Sequence, residues 1–288
     1  MPPHVRLLLA GSLFATGGAL LKLCGFPSLE RAGVRAIFAA LTLFVLLPPA
    51  RRWPSWRVWP LMVPYFGATV LFVVANTLTT AANAIFLQAT APVWVTLGGF
   101  VLLGERPSRI DLLVLVCIGI GMTMFFLAPV EASATAPDPR LGDWLAIGTG
   151  VSFGLLLVGF RWLGRQGQDE QCAAVAWGNL LTAPLALGLA PLLGQQLIVG
   201  TVQDWAVIAV MGVFQVGLAY SLLVRAMPLV PAVQASLLLM IEPALNPVIA
   251  FFVHGERPHV LAIAGGVVII AAVVLGSVLT ARRAPRLR

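Results

Sequence analysis

Ten stretches of mostly apolar residues run through the 288-residue chain, at roughly 5–24, 28–48, 58–80, 82–103, 109–128, 142–163, 172–193, 204–227, 230–253 and 259–281. Each is about the 20 residues that a helix needs to cross a ~30 Å hydrocarbon layer. They are apolar all round rather than alternating with period two, which excludes an outer-membrane barrel. The short connections leave no room for a separate soluble domain. Composition agrees: 59% of residues are hydrophobic and 10% charged, against about 45–50% and about 25% in soluble domains. The fold class expected is all-α integral membrane. The first stretch begins near Arg6 like a secretory leader but runs into Lys22-Leu23-Cys24, a poor cleavage context, so it reads as a retained helix. Cys24, Cys117 and Cys172 are far apart and odd in number, and they read as free thiols.

Charge sets the topology. With the N-terminus inside, Arg6, Arg51, Arg52, Arg57, Arg106, Arg109, Arg161, Arg165, Arg225, Arg282, Arg283, Arg286 and Arg288 share the cytoplasmic side, 13 of 18 basic residues. The positive-inside rule then places both termini in the cytoplasm of a bacterial-type inner membrane. The formal charge of +7 is spread over short loops and calls for no nucleic acid; the basic tail, 282–288, faces anionic head groups.

The chain also repeats itself. Gly104-Glu105-Arg106-Pro107 recurs as Gly255-Glu256-Arg257-Pro258, an offset of 151 that also matches Ala68 to Ala219, Ala81 to Ala232, Ala84 to Ala235, Leu87 to Leu238 and Pro92 to Pro243. An offset of 139 matches Gly11 to Gly150, Phe14 to Phe153 and Lys22 to Arg161. The expected organisation is a five-helix half over 1–128, an external linker over 129–141 and a second half over 142–281. An odd helix count inverts the second copy. Such inverted repeats place a binding site between the halves near the bilayer midplane.

Ten helices in two five-helix halves resemble the drug/metabolite transporter superfamily, and within it the EamA-type exporters. The resemblance is strongest at Gly217-Leu218-Ala219-Tyr220, Ala226, Glu242-Pro243 and Gly255-Glu256, and Arg35 matches a recurrent family arginine. It implies secondary export of small metabolites, amino acids foremost, without ATP; length and helix number are similar to those of the aromatic amino-acid exporter branch. Drugs or other metabolites are the alternative cargo implied by the same fold.

Glu242 falls mid-span, where a carboxylate costs about 2.5–3.5 kcal/mol or more. It reads either as a contact for a substrate ammonium or a proton carrier, or as a neutral carboxyl hydrogen-bonded within the bundle. Its counterpart in the first half is Ala91, so the charge is not part of the shared scaffold. Thr69, Asn76 and Thr80 share one face of the third span; Asn83 and Gln88 follow in the fourth, and Gln215, Tyr220 and Gln234 occupy the equivalent region of the second half. Gln215 and Tyr220 stand about 140° apart on an ideal helix, so only one of them is expected to face a given cavity. For any single polar residue, interhelical hydrogen bonding is the plainer role. Arg35 reads as a clamp for a substrate carboxylate, and Lys22 as a snorkelling residue or a partner of Glu30. Trp94 could stack on an aromatic ligand, whereas Trp53, Trp56, Trp59, Trp144, Trp162 and Trp205 lie near span ends as interface anchors. The stripes Gly11-Ala15-Gly18 and Gly148-Ser152-Gly159 predict close helix packing.

The expected cavity is therefore lined by Asn76, Asn83, Gln88, Trp94, Gln215, Tyr220, Gln234 and Glu242, with Arg35 nearby. Three scattered histidines (His4, His254, His259), no metal-ligand spacing, no nucleophile–base pair within a span and no P-loop speak against an enzyme, a resident metal or a cofactor. An integral-membrane enzyme acting on lipid-like substrates, a scaffold or receptor, and a channel are the rival readings. The expected partners are a small-molecule substrate, the bilayer and, through Glu242, protons; nothing demands more than a monomer.

Overall fold

The computed structural model describes residues 1–103, 109–127, 132–164, 168–197, 200–226, 229, 238, 239, 241–255 and 259–283. Among these, β pairing is confined to one isolated bridge between Ser133 and Ala136; the rest of the regular structure is helical. In chain order the helices are α1 Pro3–Ala15, α2 Gly17–Leu23, α3 Ser28–Leu46, α4 Met62–Leu78, α5 Ala81–Gln88, α6 Ala91–Leu103, α7 Arg109–Leu127, α8 Pro139–Gly164 and α9 Gln168–Leu192. They continue with α10 Val202–Val210, a π-helical segment Met211–Leu218, α11 Ala219–Ala226, α12 Ile241–His254 and α13 Val260–Arg283.

Among the described residues, six stretches are long and apolar enough to cross a membrane: Pro3–Leu23, Trp59–Leu78, Ala81–Leu102, Pro139–Gly164, Asp169–Leu192 and Val202–Ala226. Leu112–Met124, Ile241–His254 and Val260–Gly276 are shorter apolar helices, and α3 carries Glu30, Arg31 and Arg35 along an otherwise apolar length. Large apolar side chains point outward all around the bundle, among them Val45, Val63, Val101, Leu113, Phe252 and Val267. Only hydrocarbon surroundings make such a surface stable. The chain is a multi-pass membrane protein.

Two apolar stretches that read as continuous spans are each interrupted. Between α1 and α2, the Thr16 hydroxyl donates to the Leu13 carbonyl at 2.7 Å; between α5 and α6, the Thr90 hydroxyl donates to the Leu87 carbonyl at 2.6 Å. A hydroxyl bonded back to an earlier carbonyl competes with the helical ladder and bends the chain. Glycines then let backbones meet. A Cβ on Gly150 would lie 2.7 Å from Thr90 Oγ1, and one on Gly154 would lie 2.9 Å from the Ala91 carbonyl, so α8 seats directly on the α5–α6 break. The stripe glycines behave the same way: Gly11 faces Ile241, Gly18 faces Ala81 and Asn246, and Gly159 faces Leu61.

The packing partners form a recurring pattern. α4 runs along α8 and α1 along α11; α5 and α6 rest on α8, and α12 rests on α1 and α2. α4 meets α9, and the π-helical segment meets α3; α3 pairs with α9, and α7 with α13.

Hydrogen bonds tie the bundle at two ends. At one, the Lys22 ammonium donates to the carbonyls of Thr79 (2.8 Å) and Thr135 (2.6 Å), a placement that neither snorkelling nor a pair with Glu30 describes fully. There the buried Asp143 carboxylate accepts from Thr79 Oγ1 at 2.7 Å and from Asn83 Nδ2 at 3.2 Å, and Asp204 accepts from the Gly25 amide at 2.5 Å. At the other end, Trp177 Nε1 donates to the Ala50 carbonyl at 3.1 Å, Arg225 donates to the Leu46 carbonyl, and Trp53, Trp59 and Trp177 form an aromatic cluster.

Candidate functional site

Between these tied ends lies a cavity lined by Phe14, Arg35, Ala68, Thr69, Phe72, Gln88, Phe153, Gln215, Val216, Tyr220 and Glu242. It encloses about 490 Å³ of space between atoms, the open solvent at its mouth included. Its wall comes from the interior of α3, α4, α8 and the π-helical segment, and from the ends of α1, α5, α11 and α12.

Arg35 is 3% exposed. Its Nη1 donates to Gln215 Oε1 and its Nη2 to the Thr69 carbonyl, both at 3.4 Å, while its Nε has no partner among the described residues. The arginine is held in place from behind: a Cβ on Gly212 would lie 2.7 Å from the Arg35 carbonyl, and one on Gly217 would lie 2.7 Å from Thr42 Cβ. The π-helical segment thus lies against α3 with no side chain of its own at these two points. Gln215 is fixed in turn against Gly17, whose missing side chain leaves room for the amide.

The π-helical segment overturns one expectation. On an α-helix Gln215 and Tyr220 would diverge, but an i→i+5 ladder brings residues five apart onto one side. Met211–Leu218 is π-helical, and both Gln215 and Tyr220 line the cavity. Tyr220 is braced by an edge-on contact with Phe14 (ring centroids 5.1 Å apart) and by Tyr65 at 6.0 Å. The Tyr65 hydroxyl itself accepts from Asn179 Nδ2 at 2.5 Å.

Glu242 is partly buried, faces the cavity and makes no hydrogen bond or ion pair among the described residues. Its helix is anchored to α1 and α2 by Asn246, which donates to the Ala15 carbonyl at 3.2 Å, and by a 2.8 Å hydrogen bond between His254 Nε2 and the Ala19 carbonyl.

Of the residues singled out in the sequence, Arg35, Gln88, Gln215, Tyr220 and Glu242 meet at this cavity. Three others do not line it. Asn76 is 0% exposed and donates to the Phe72 carbonyl one turn back at 3.1 Å. Asn83 is drawn toward one end of the bundle by Asp143. Trp94 packs against α8, where a Cβ on Gly154 would lie 2.6 Å from its own Cβ. In each case packing or a local hydrogen bond claims the side chain. Gln234 and the two Gly-Glu-Arg-Pro turns, apart from Gly255, lie outside the described residues. The sequence reading did not include Phe14, Ala68, Phe72, Phe153 and Val216 in the lining, although the offset of 139 that pairs Phe14 with Phe153 was a usable signal. Thr69 and Tyr220, 151 residues apart, form a second matched pair on the wall.

The chain matches the sequence profile of the EamA-like transporter family over residues 3–127 and 140–278. It is similar to the threonine/homoserine exporter RhtA of Escherichia coli strain K12, with 26% identity over 295 residues that cover 99% of this chain and 94% of that protein. An uncharacterized protein of Pseudomonas aeruginosa is 30% identical over 273 residues, 90% of this chain and 89% of the other. A solved crystal structure superposes with a TM-score of 0.69 at 19% identity, covering 99% of both chains; at that identity it speaks for the fold alone.

Proposed function

The chain belongs to the EamA-like transporter family, and from that premise we propose that it exports amino acids across the inner membrane by alternating access. The substrate-binding cavity is the one between α1, α3, α4, α5, α8, α11 and α12, and the two halves, 1–128 and 142–281, are inverted copies joined by 129–141, with both termini in the cytoplasm. The observation that carries this reading is the cavity, a polar-and-aromatic pocket built from both halves and lined by the matched pair Phe14 and Phe153. The packing pattern supports it further: exchanging the halves turns the α4–α8 contact into α11–α1, the α5/α6–α8 contact into α12–α1/α2, and leaves α3–α9 and α7–α13 in place. The family profile likewise matches in two separate stretches. Amino acids as cargo follow from the similarity to a threonine/homoserine exporter. The aromatic wall of Phe14, Phe72, Phe153 and Tyr220 favours, as a second reading, an aromatic side chain or an apolar drug.

The test is counterflow in proteoliposomes preloaded with threonine, phenylalanine or an apolar drug, with and without a pH gradient. Saturable exchange of an amino acid is expected. Flux linear in concentration would make the protein a channel, and absence of flux with lipid turnover would make it an enzyme; either result overturns the proposal.

A further inference from the structure

Resting on that reading, we infer that the cavity recognises its substrate as a zwitterion, with Arg35 receiving the carboxylate and Glu242 the ammonium group. The argument begins from two incomplete charges. Arg35 is almost fully buried, and the hydrogen bonds it makes reach no carboxylate. Its two hydrogen bonds are long and go to neutral oxygens, and Nε is left over. A buried charge without a partner costs several kcal/mol, so an arginine held there by close packing needs a counter-ion from elsewhere. Glu242 has the complementary deficit: a carboxylate on the same cavity with no cation bound.

The two side chains do not pair with each other, and this separation carries the inference. Had they met, the cavity would hold a neutral ion pair with no demand for a charged ligand. Unpaired but lining one cavity, they are completed together by a molecule that carries an anion and a cation a few bonds apart, as an α-amino acid does. A planar guanidinium suits a carboxylate, which it can grip through two parallel N–H bonds. Gln88, Gln215 and Tyr220 add neutral polar groups to the same wall, and Phe14, Phe72 and Phe153 add apolar surface for an uncharged side chain. A dicarboxylate or a phosphate ester leaves Glu242 facing an anion, and a simple amine leaves Arg35 unmatched; both are disfavoured.

The experiment removes one charge from the ligand and one from the protein in turn. Binding to the purified protein in detergent is measured calorimetrically for L-threonine, L-threoninol (no carboxylate) and N-acetyl-L-threonine (no ammonium), using wild type, Arg35→Gln and Glu242→Gln. Wild type should lose at least tenfold affinity for each truncated ligand. Arg35→Gln should bind threonine at least tenfold more weakly, but should no longer distinguish it from threoninol. Glu242→Gln should no longer distinguish threonine from N-acetylthreonine. Such cycles isolate the pairwise contact from general damage. Should Arg35→Gln fail to stay monodisperse, Arg35→Lys replaces it: it keeps the charge, loses the fork, and should weaken threonine at least tenfold while threoninol is unchanged. Variants that discriminate between the ligands as wild type does, or cycles that couple the opposite way round, overturn the inference while leaving amino-acid export standing. A folded wild-type protein that neither binds nor transports any amino acid overturns the export reading itself.

Discussion

Asp143 offers the sharpest test of how the cavity is shut at one end. Its carboxylate joins α8 to the α4–α5 junction by accepting from Thr79 and Asn83, and next to it Lys22 holds the Thr79 carbonyl. On the alternating-access proposal, opening that end requires α8 and the α4–α5 junction to separate. Asp143→Ala removes two interhelical hydrogen bonds, which average about 0.6 kcal/mol each in membranes. The sum of about 1.2 kcal/mol shifts a closed–open equilibrium roughly sevenfold, at about 1.4 kcal/mol per factor of ten. The assay places a single cysteine at Thr69, on the cavity wall, in a background without Cys24, Cys117 and Cys172. Labelling by a membrane-impermeant thiol reagent added on that side should then quicken by roughly sevenfold. Asp143→Asn keeps an oxygen that can accept from both donors and should label close to the wild-type rate. An unchanged rate in a monodisperse Asp143→Ala protein would refute the closure argument. Stability is not the readout, because removing a buried carboxylate can itself stabilise the fold.

Three further outcomes follow from packing and chemistry. Gly154→Ala forces a Cβ to within 2.9 Å of the Ala91 carbonyl and should lower stability by about 1–3 kcal/mol, whereas Gly188→Ala, with nothing within 4 Å, should leave the melting temperature in detergent nearly unchanged. Tyr65→Phe removes the acceptor of Asn179 and should destabilise by roughly 1 kcal/mol in thermal unfolding, without moving Arg35. The Cys24 side chain is 3% exposed, so maleimide labelling at pH 7–8 should be slower than for a free thiol; labelling at the rate of a small-molecule thiol would contradict its burial.

The membrane-embedded class and the family were legible in the sequence because both rest on long-range regularities. Apolar runs of spanning length survive any local irregularity, and the matched Gly-Glu-Arg-Pro turns, with their flanking matches, are what carry the expectation of two repeated halves. The cavity was legible only in part. Arg35 and Glu242 stood out because charge inside a span is rare, and they do meet in one space. Asn76, Asn83 and Trp94 looked equivalent to Gln88 and Gln215 on a helical wheel, yet a back-bond, a distant carboxylate and a missing glycine side chain decided their fates. None of those deciding contacts is local in sequence except the first. The π-helical segment was hidden for a different reason: a wheel drawn at 100° per residue presumes the very ladder that Met211–Leu218 abandons.

The charges on the cavity wall also bear on energy coupling. With Arg35 and Glu242 both ionised, the site sums to zero, and a bound zwitterion adds zero again. Moving one uncompensated charge through the bilayer is worth about 2.3 kcal/mol per 100 mV, but neither the empty nor the loaded site presents such a charge. On the zwitterion inference, reorientation in either direction would be indifferent to the membrane potential. On the export reading, the net flux of a neutral amino acid would then follow its concentration on the two sides.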